Sequence, residues 1–198
     1  MTCTPRALVL ASTSPYRQRL LKRLRVPFTT VRPETDETPL PGEEAAPLAR
    51  RLAQAKCRSV SRTAPGALVL GSDQTASIDG DLLHKPGDFG AAFRQLQRCS
   101  GRQVIFHTGA ALCMDDRLID TVCVATTVEF RHLSGQEIER YLALDEPYDC
   151  AGSFRWEGIG ISLFRALRSD DPTALEGLPL IAVADMLRSR GLDPLRTT

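Results

Sequence analysis

The stretch Leu8 to Leu24, LVLASTSPYRQRLLKRL, places the tightest constraint on the fold. Leu8, Val9 and Leu10 form a short unbroken apolar run, the pattern of a strand covered on both faces. Ser14 is placed to cap a helix whose first residue is Pro15, where the missing N–H is no loss. Leu20, Leu21 and Leu24 recur at helical spacing, so the strand hands over directly to a helix. The turn aims helix-N-terminal N–H groups, the hydroxyls of Ser12, Thr13 and Ser14, and the Arg17 guanidinium into one small space. Phosphate or carboxylate fits there. From this segment alone, a capped strand-to-helix junction with a solvated Arg17 reads equally well.

A second apolar run supports an α/β arrangement. Ala67 to Asp73, ALVLGSD, echoes Ala7 to Thr13, ALVLAST, as two similar parallel strands would whose carboxyl ends carry small or polar residues. Ligands of open α/β sheets collect at such ends. Between the two lie a short strand, Phe28 to Val31, the non-helical loop Arg32 to Gly42 with three prolines and three acids, and a helix from about Glu43 to Ser61. Asp79-Gly80 marks a hairpin within Thr75 to Lys85. A helix is expected over Phe89 to Cys99, then two long antiparallel strands, Val104 to Met114 and Leu118 to Phe130. Ser134 to Glu137 is a capping box that opens a helix to about Leu144. The glycine-rich segment CAGSFRWEGIGISLF follows, with Gly152, Gly158 and Gly160 freeing the backbone for close approach. A last helix runs from Pro179 to a stop at Gly191. No low-complexity segment or linker divides the chain, so residues 1–198 are expected to form a single domain, with at most two lobes.

At 198 residues and 42% hydrophobic content, the chain can bury a core without disulfides. Its six cysteines, Cys3, Cys57, Cys99, Cys113, Cys123 and Cys150, show neither a CxxC pair nor zinc-type spacing and read as reduced thiols of a cytoplasmic protein. There is no leader pattern and no apolar run near the roughly 20 residues that span a bilayer, so no membrane partner is expected. A net charge of +1 argues against a nucleic-acid surface. The one local excess, Arg17, Arg19, Lys22, Arg23 and Arg25, falls mostly on the wet face of the first helix.

Some residues resist explanation as packing. Ala45, Ala49, Leu52, Lys56 and Val60 share one helical stripe, so Lys56 stands on an otherwise small or apolar face and either snorkels to water or needs a partner. Asp73 follows the buried run Leu68 to Leu70 through one glycine and one serine, where a carboxylate is costly unless paired. Glu34, Asp36 and Glu37 add acids, while Arg17, Lys56 and Lys85 add cations. Hard oxygen ligands beside phosphate clamps suit a magnesium-dependent reaction at a phosphate ester or anhydride. His84, His107 and His132 are too dispersed for zinc, and none lies in a nucleophile-elbow or Cys-His pattern, which favours direct attack by water.

These motifs together resemble the Maf nucleoside triphosphate pyrophosphatases. In order along the chain stand LVLASTSPYR, DETP, LA-x-x-K, GSDQ, KP, SG, TG, AGSF and GLPL, ending at Leu180. The resemblance implies an α/β fold of the inosine-triphosphatase-like type, with a central mixed twisted sheet flanked by helices and an active cleft between two lobes. It also implies cleavage between the α and β phosphates of a nucleotide, with Mg2+ or Mn2+. Residues matching Ser12, Arg17, Glu37, Lys56 and Lys85 line the triphosphate and metal site in that family, and the one matching Asp73 is its proton acceptor. The implied catalytic set is therefore Asp73, Lys56, Lys85 and Glu37, with Asp73 and Glu37 as metal ligands and a homodimer as the assembly. Tyr16, Gln74 and Glu157 occupy positions linked to base choice, and SPYR, GSDQ and CAGSF-x-x-EG resemble the YceF-type branch, which prefers 7-methyl-GTP. That branch usually carries Trp where Tyr16 stands, and many members carry Asn where Thr173 and Ala174 stand here. A cationic 7-methylguanine would stack on Tyr16, and Glu157 would answer its charge. Alternatives are a dTTP/UTP-type or broader pyrophosphatase, and a nucleotide-binding regulator of septum formation.

Overall fold

A computed structural model describes residues 7–196, so Cys3 lies outside the described residues. The order is β1 (Leu8–Ala11), α1 (Pro15–Lys22), β2 (Phe28–Val31), α2 (Ala45–Ser61), β3 (Leu68–Ile78), β4 (Asp81–Leu83), α3 (Phe89–Cys99), β5 (Gln103–Met114), β6 (Arg117–Phe130), α4 (Gly135–Asp145), β7 (Phe164–Ser169) and α5 (Leu180–Arg188). Short 3-10 turns occupy Ala151–Ser153, Ile159–Leu163 and Pro172–Glu176.

The strands form one mixed sheet in the order β2-β1-β3-β5-β6-β7, with β4 beside β3. β1 is parallel to β2 and β3, and the other pairs are antiparallel. The echo in the sequence is literal in space, because Leu8 lies opposite Leu68, Val9 opposite Val69 and Leu10 opposite Leu70. Leu8, Leu10, Leu68 and Leu70 pack beneath Leu20 and Leu21 of α1 and Val183, Met186 and Leu187 of α5. Val9, Ala11 and Val69 pack on the other face against Ala53, Cys57 and Val60 of α2. The strand covered on both faces is thus β1, all four residues of which are buried. The second half of β3, with β5 and β6, forms a further core under α3 and α4.

Two elements depart from expectation. The strand anticipated at Ala67 to Leu70 does not stop before Asp73 but runs to Ile78, because β5 supplies an unbroken antiparallel partner from Val69↔Cys113 to Ser77↔Ile105. On its other edge β3 is paired with β1 only as far as Gly71 and with β4 only from Ala76. Ser72, Asp73, Gln74 and Thr75 therefore have a strand on one side and an opening on the other. β7 was not anticipated: it is a half-exposed edge strand, FRALRS, whose pairing with β6 supplies what its weak alternation does not.

The helix starts also have local causes. α2 begins at Ala45 rather than Glu43, whose carboxylate is engaged by the Leu40 N–H and the Arg51 guanidinium. α5 begins at Leu180, one residue past the proline. Its first N–H groups are met by Thr173 Oγ1, which accepts from Leu180 N at 2.9 Å, and Asp171 Oδ2, which accepts from Ile181 N at 2.7 Å. Thr173 thus caps a helix in this chain. No helix among the described residues is long and apolar enough to cross a membrane. The five described cysteines are free thiols.

α2 lies with its backbone against the sheet. A Cβ on Gly71 would stand 2.6 Å from the Cys57 nitrogen and nearer still to the Ala53 carbonyl oxygen, and one on Gly109 would stand 2.5 Å from the Ala49 carbonyl oxygen. Both glycines are therefore required by space. Gly71→Ala is expected to lower stability by about 3 kcal/mol through overpacking against rigid backbone, read as a shift of the urea midpoint. A loss below about 1 kcal/mol would mean that α2 can move away from the sheet.

Candidate active site

The opening beside Ser72 to Thr75 is the floor of a cleft of about 650 Å³. The nine residues to which the resemblance gave site positions, Ser12, Tyr16, Arg17, Glu37, Lys56, Asp73, Gln74, Lys85 and Glu157, all line it. Of the three loop acids only Glu37 does so. Asp36 instead accepts the Thr38 N–H at 2.9 Å and shapes the loop, and Glu34 lies outside the cleft.

At the centre, the misfit on the α2 stripe has its partner. Lys56 and Asp73 are each 6% exposed, and Lys56 Nζ lies 2.6 Å from Asp73 Oδ1 and 2.7 Å from Glu37 Oε1. Asp73 shares the α2-facing side of β3 with Gly71 and Thr75, and Thr75 Oγ1 donates to the Ala45 carbonyl at 2.7 Å. The close approach at Gly71 thus sets the depth at which the ammonium meets the carboxylate.

Glu37 arrives from the proline-rich loop, which is clamped to α2. Arg51 donates from Nε and Nη2 to the two Glu43 oxygens, each at 2.7 Å, and from Nη2 to the Thr38 carbonyl at 3.0 Å. This bidentate fork, aided by the Leu40 N–H, pulls the Glu43 carboxyl down to about 2. That value lies below the usual carboxylate value of about 4.3, so the clamp is fully present above that pH and is lost only as pH falls towards 2.

One end of the cleft is the β1–α1 turn. Ser14 Oγ accepts the Arg17 N–H at 3.4 Å as the helix cap, and Ser12 Oγ accepts the Ser14 N–H at 3.1 Å. Arg17 Nε donates to the Gly177 carbonyl at 2.9 Å, and Ser72 Oγ donates to the same oxygen at 2.9 Å. Desolvation presses the guanidinium pKa downward, while the charges of Asp73 and Glu37 oppose it. Lys85, just beyond β4, adds an exposed ammonium to the wall.

Tyr16 and Glu157 line the other end. The segment carrying Glu157 hangs on Phe154, whose ring meets Phe164, Phe106 and Phe130 edge-on at 4.8, 5.3 and 5.6 Å. Gly152, at φ +81°, permits this, because a Cβ there would stand 2.9 Å from the Phe106 ring. Gln74 points to the opposite face of β3 from Asp73. Its amide nitrogen donates to Thr108 Oγ1 and to the Ala174 and Leu175 carbonyls at 2.9 to 3.1 Å, which leaves only Oε1 to meet a ligand.

The family profile described as Maf-like protein matches residues 7–190. This chain belongs to the Maf family. It is 52% identical over 190 residues to the 7-methyl-GTP pyrophosphatase of Bordetella avium (strain 197N), covering 96% of each chain. It is 54% identical over 184 residues to the 7-methyl-GTP pyrophosphatase of Xanthomonas campestris pv. campestris (strain 8004), covering 93% of this chain and 96% of that one. Among solved structures, a HAM1 protein from Coxiella burnetii aligns with 64% of this chain and 73% of its own at 15% identity and a TM-score of 0.47.

Arg32, Thr35, Asp149, Arg155, Trp156 and Glu176 also line the cleft, and none belongs to a motif by which the sequence announces the site. Arg155 fastens its segment by donating to the Asp145 carbonyl at 2.6 Å and to Asp149 Oδ1 at 2.9 Å. Trp156, the single tryptophan, is legible as a large aromatic beside Glu157, and its buried Nε1 has no partner among the described residues.

Lys56→Met would leave Asp73 buried beside Arg17 without its ammonium, and is expected to lower stability by about 3–5 kcal/mol at pH 7. Much of that loss should return in Lys56→Met/Asp73→Asn, because the stranded charge is gone. Urea unfolding of the single and double variants measures both, and equal losses would show that the pair is not what holds this wall.

Proposed function

We propose that this Maf protein hydrolyses 7-methyl-GTP at the bond between its α and β phosphates, releasing 7-methyl-GMP and pyrophosphate. One observation carries the proposal: a buried lysine is held between two carboxylates at the floor of a cleft whose rim is a helix-capping, arginine-bearing turn. Arg17, Lys56 and Lys85 supply the positive charge a triphosphate needs, and Ser12 with the β1–α1 turn supplies hydrogen-bond donors. Asp73 accepts a proton from the attacking water as the new P–O bond forms, and the electrons of the broken bond leave with pyrophosphate. Arg17 and Lys56 stabilise the charge that develops on the phosphate oxygens.

The donor set also fits a divalent cation. Asp73 and Glu37 already converge on one cationic atom, Lys56 Nζ, and magnesium is commonly held by one or two carboxylates together with substrate phosphates. Asp73 and Glu37 would hold Mg2+ or Mn2+, which would neutralise phosphate charge. Among the described residues no group of three or more His, Cys, Asp and Glu side chains is placed to hold a metal.

For the base, Tyr16 offers an aromatic face and Glu157 a negative charge, the pair that suits a purine made cationic by N7-methylation. The names borne by relatives 52% and 54% identical to the chain support the same choice.

With Mg2+ or Mn2+ and a panel of 7-methyl-GTP, GTP, dTTP, UTP and CTP, 7-methyl-GTP is expected to show the highest kcat/KM, with monophosphate and pyrophosphate as products. Orthophosphate with a diphosphate would refute the bond assignment, and preference for dTTP would refute the base assignment. EDTA should abolish turnover and added Mg2+ restore it. Asp73→Asn keeps a hydrogen bond to Lys56, and is expected to lower kcat by about 10²–10⁴-fold with nucleotide affinity changed only a few-fold. Unchanged kcat would remove Asp73 from the proton transfer.

A further inference from the structure

Arg19 projects from α1 at the rim of the base end and is not itself part of the cleft lining. Its guanidinium lies over the Tyr16 ring, 5.4 Å from the centroid. Its Nη2 stands 3.5 Å from Glu157 Oε1 and 3.6 Å from Glu176 Oε2. The arginine side chain is 58% exposed, whereas those of Glu157 and Glu176 are 26% and 13% exposed.

A guanidinium and a 7-methylguanine share their recognition chemistry. Each is flat, carries one delocalised positive charge, stacks on an aromatic face and points N–H groups outward from its edge. We infer, taking 7-methyl-GTP as the substrate, that Arg19 is an internal surrogate for the cationic base. It occupies the aromatic face and the two carboxylates when no nucleotide is bound, and it swings into solvent when the base arrives. Two features make it a removable occupant. Both ion pairs are longer than a good hydrogen bond, and more than half of the side chain already faces water. The surrogate keeps two nearby acids neutralised in the empty site, and the methylated base returns the charge that departs with Arg19.

A surrogate of this kind has a kinetic signature that a direct contact lacks. Displacement of Arg19 precedes the binding of every base, so it reduces apparent affinity for all of them by the same factor. Arg19→Ala, at an exposed helix position that tolerates alanine, is therefore expected to lower the KM for 7-methyl-GTP and for GTP together, by about three- to tenfold, with kcat and the preference between them unchanged. The Ki of inorganic tripolyphosphate, which has no base, should stay the same. A KM that rises or does not move, a response confined to one nucleotide, or a tripolyphosphate Ki that moves with KM would overturn the inference. A wild-type enzyme that prefers GTP or dTTP to 7-methyl-GTP would instead defeat the substrate assignment, and the inference with it, before any variant is compared.

Discussion

The backbone of α2 rests on the sheet where β3 and β5 carry glycine, and the depth of that contact decides what the cleft contains. With side chains at positions 71 and 109 the helix would stand off, and Lys56 would reach water along its own stem. Held close, the ammonium is trapped at the level of Asp73, directly opposite Gly109 on the neighbouring strand. A buried ammonium needs carboxylates, and Asp73 and Glu37 provide them. Glu37 depends on the same helix, since the loop that delivers it is clamped by Arg51. One steric permission thus organises a strand, a helix and a loop into a single charged centre.

Much of this was legible because it is local or periodic. The strand, cap and helix of residues 8–24 follow from residue order alone, and the repeated ALVL segments announced two similar parallel strands, whose adjacency and register only the structure supplies. Lys56 declared itself by standing on an apolar stripe. What escaped notice depends on partners remote in sequence. Polar Ser72 to Thr75 look like the end of a strand until β5 supplies their ladder, and Gln74 looks free until the carbonyls of Ala174 and Leu175, about a hundred residues away, take its N–H groups. Glu176 and Arg19 are unremarkable alone and become a cluster only through the packing of α1 against the Pro172–Glu176 turn.

The two ends of the cleft are built differently. One end consists of strand ends and a capped helix, joined by Arg17 and Ser72 to the Gly177 carbonyl and backed by buried leucines. At the other end, the Glu157 segment hangs on short 3-10 turns pinned by one phenylalanine and one arginine. Tyr16 and Gln74 share α1 and β3 with Arg17 and Asp73, whereas Glu157 rests on a support of its own. Substitutions in the Glu157 segment can therefore reshape that wall while leaving the Lys56 centre in place.

Trp156 stands at this second end, the sole indole in the chain, half-buried against the aromatic cluster and next to Glu157. Its indole emission, excited to the red of the tyrosines, comes from one location only. The molecule therefore carries its own optical gauge at the wall where a base would lie, and occupancy of that wall can be followed by light without attaching anything to the chain.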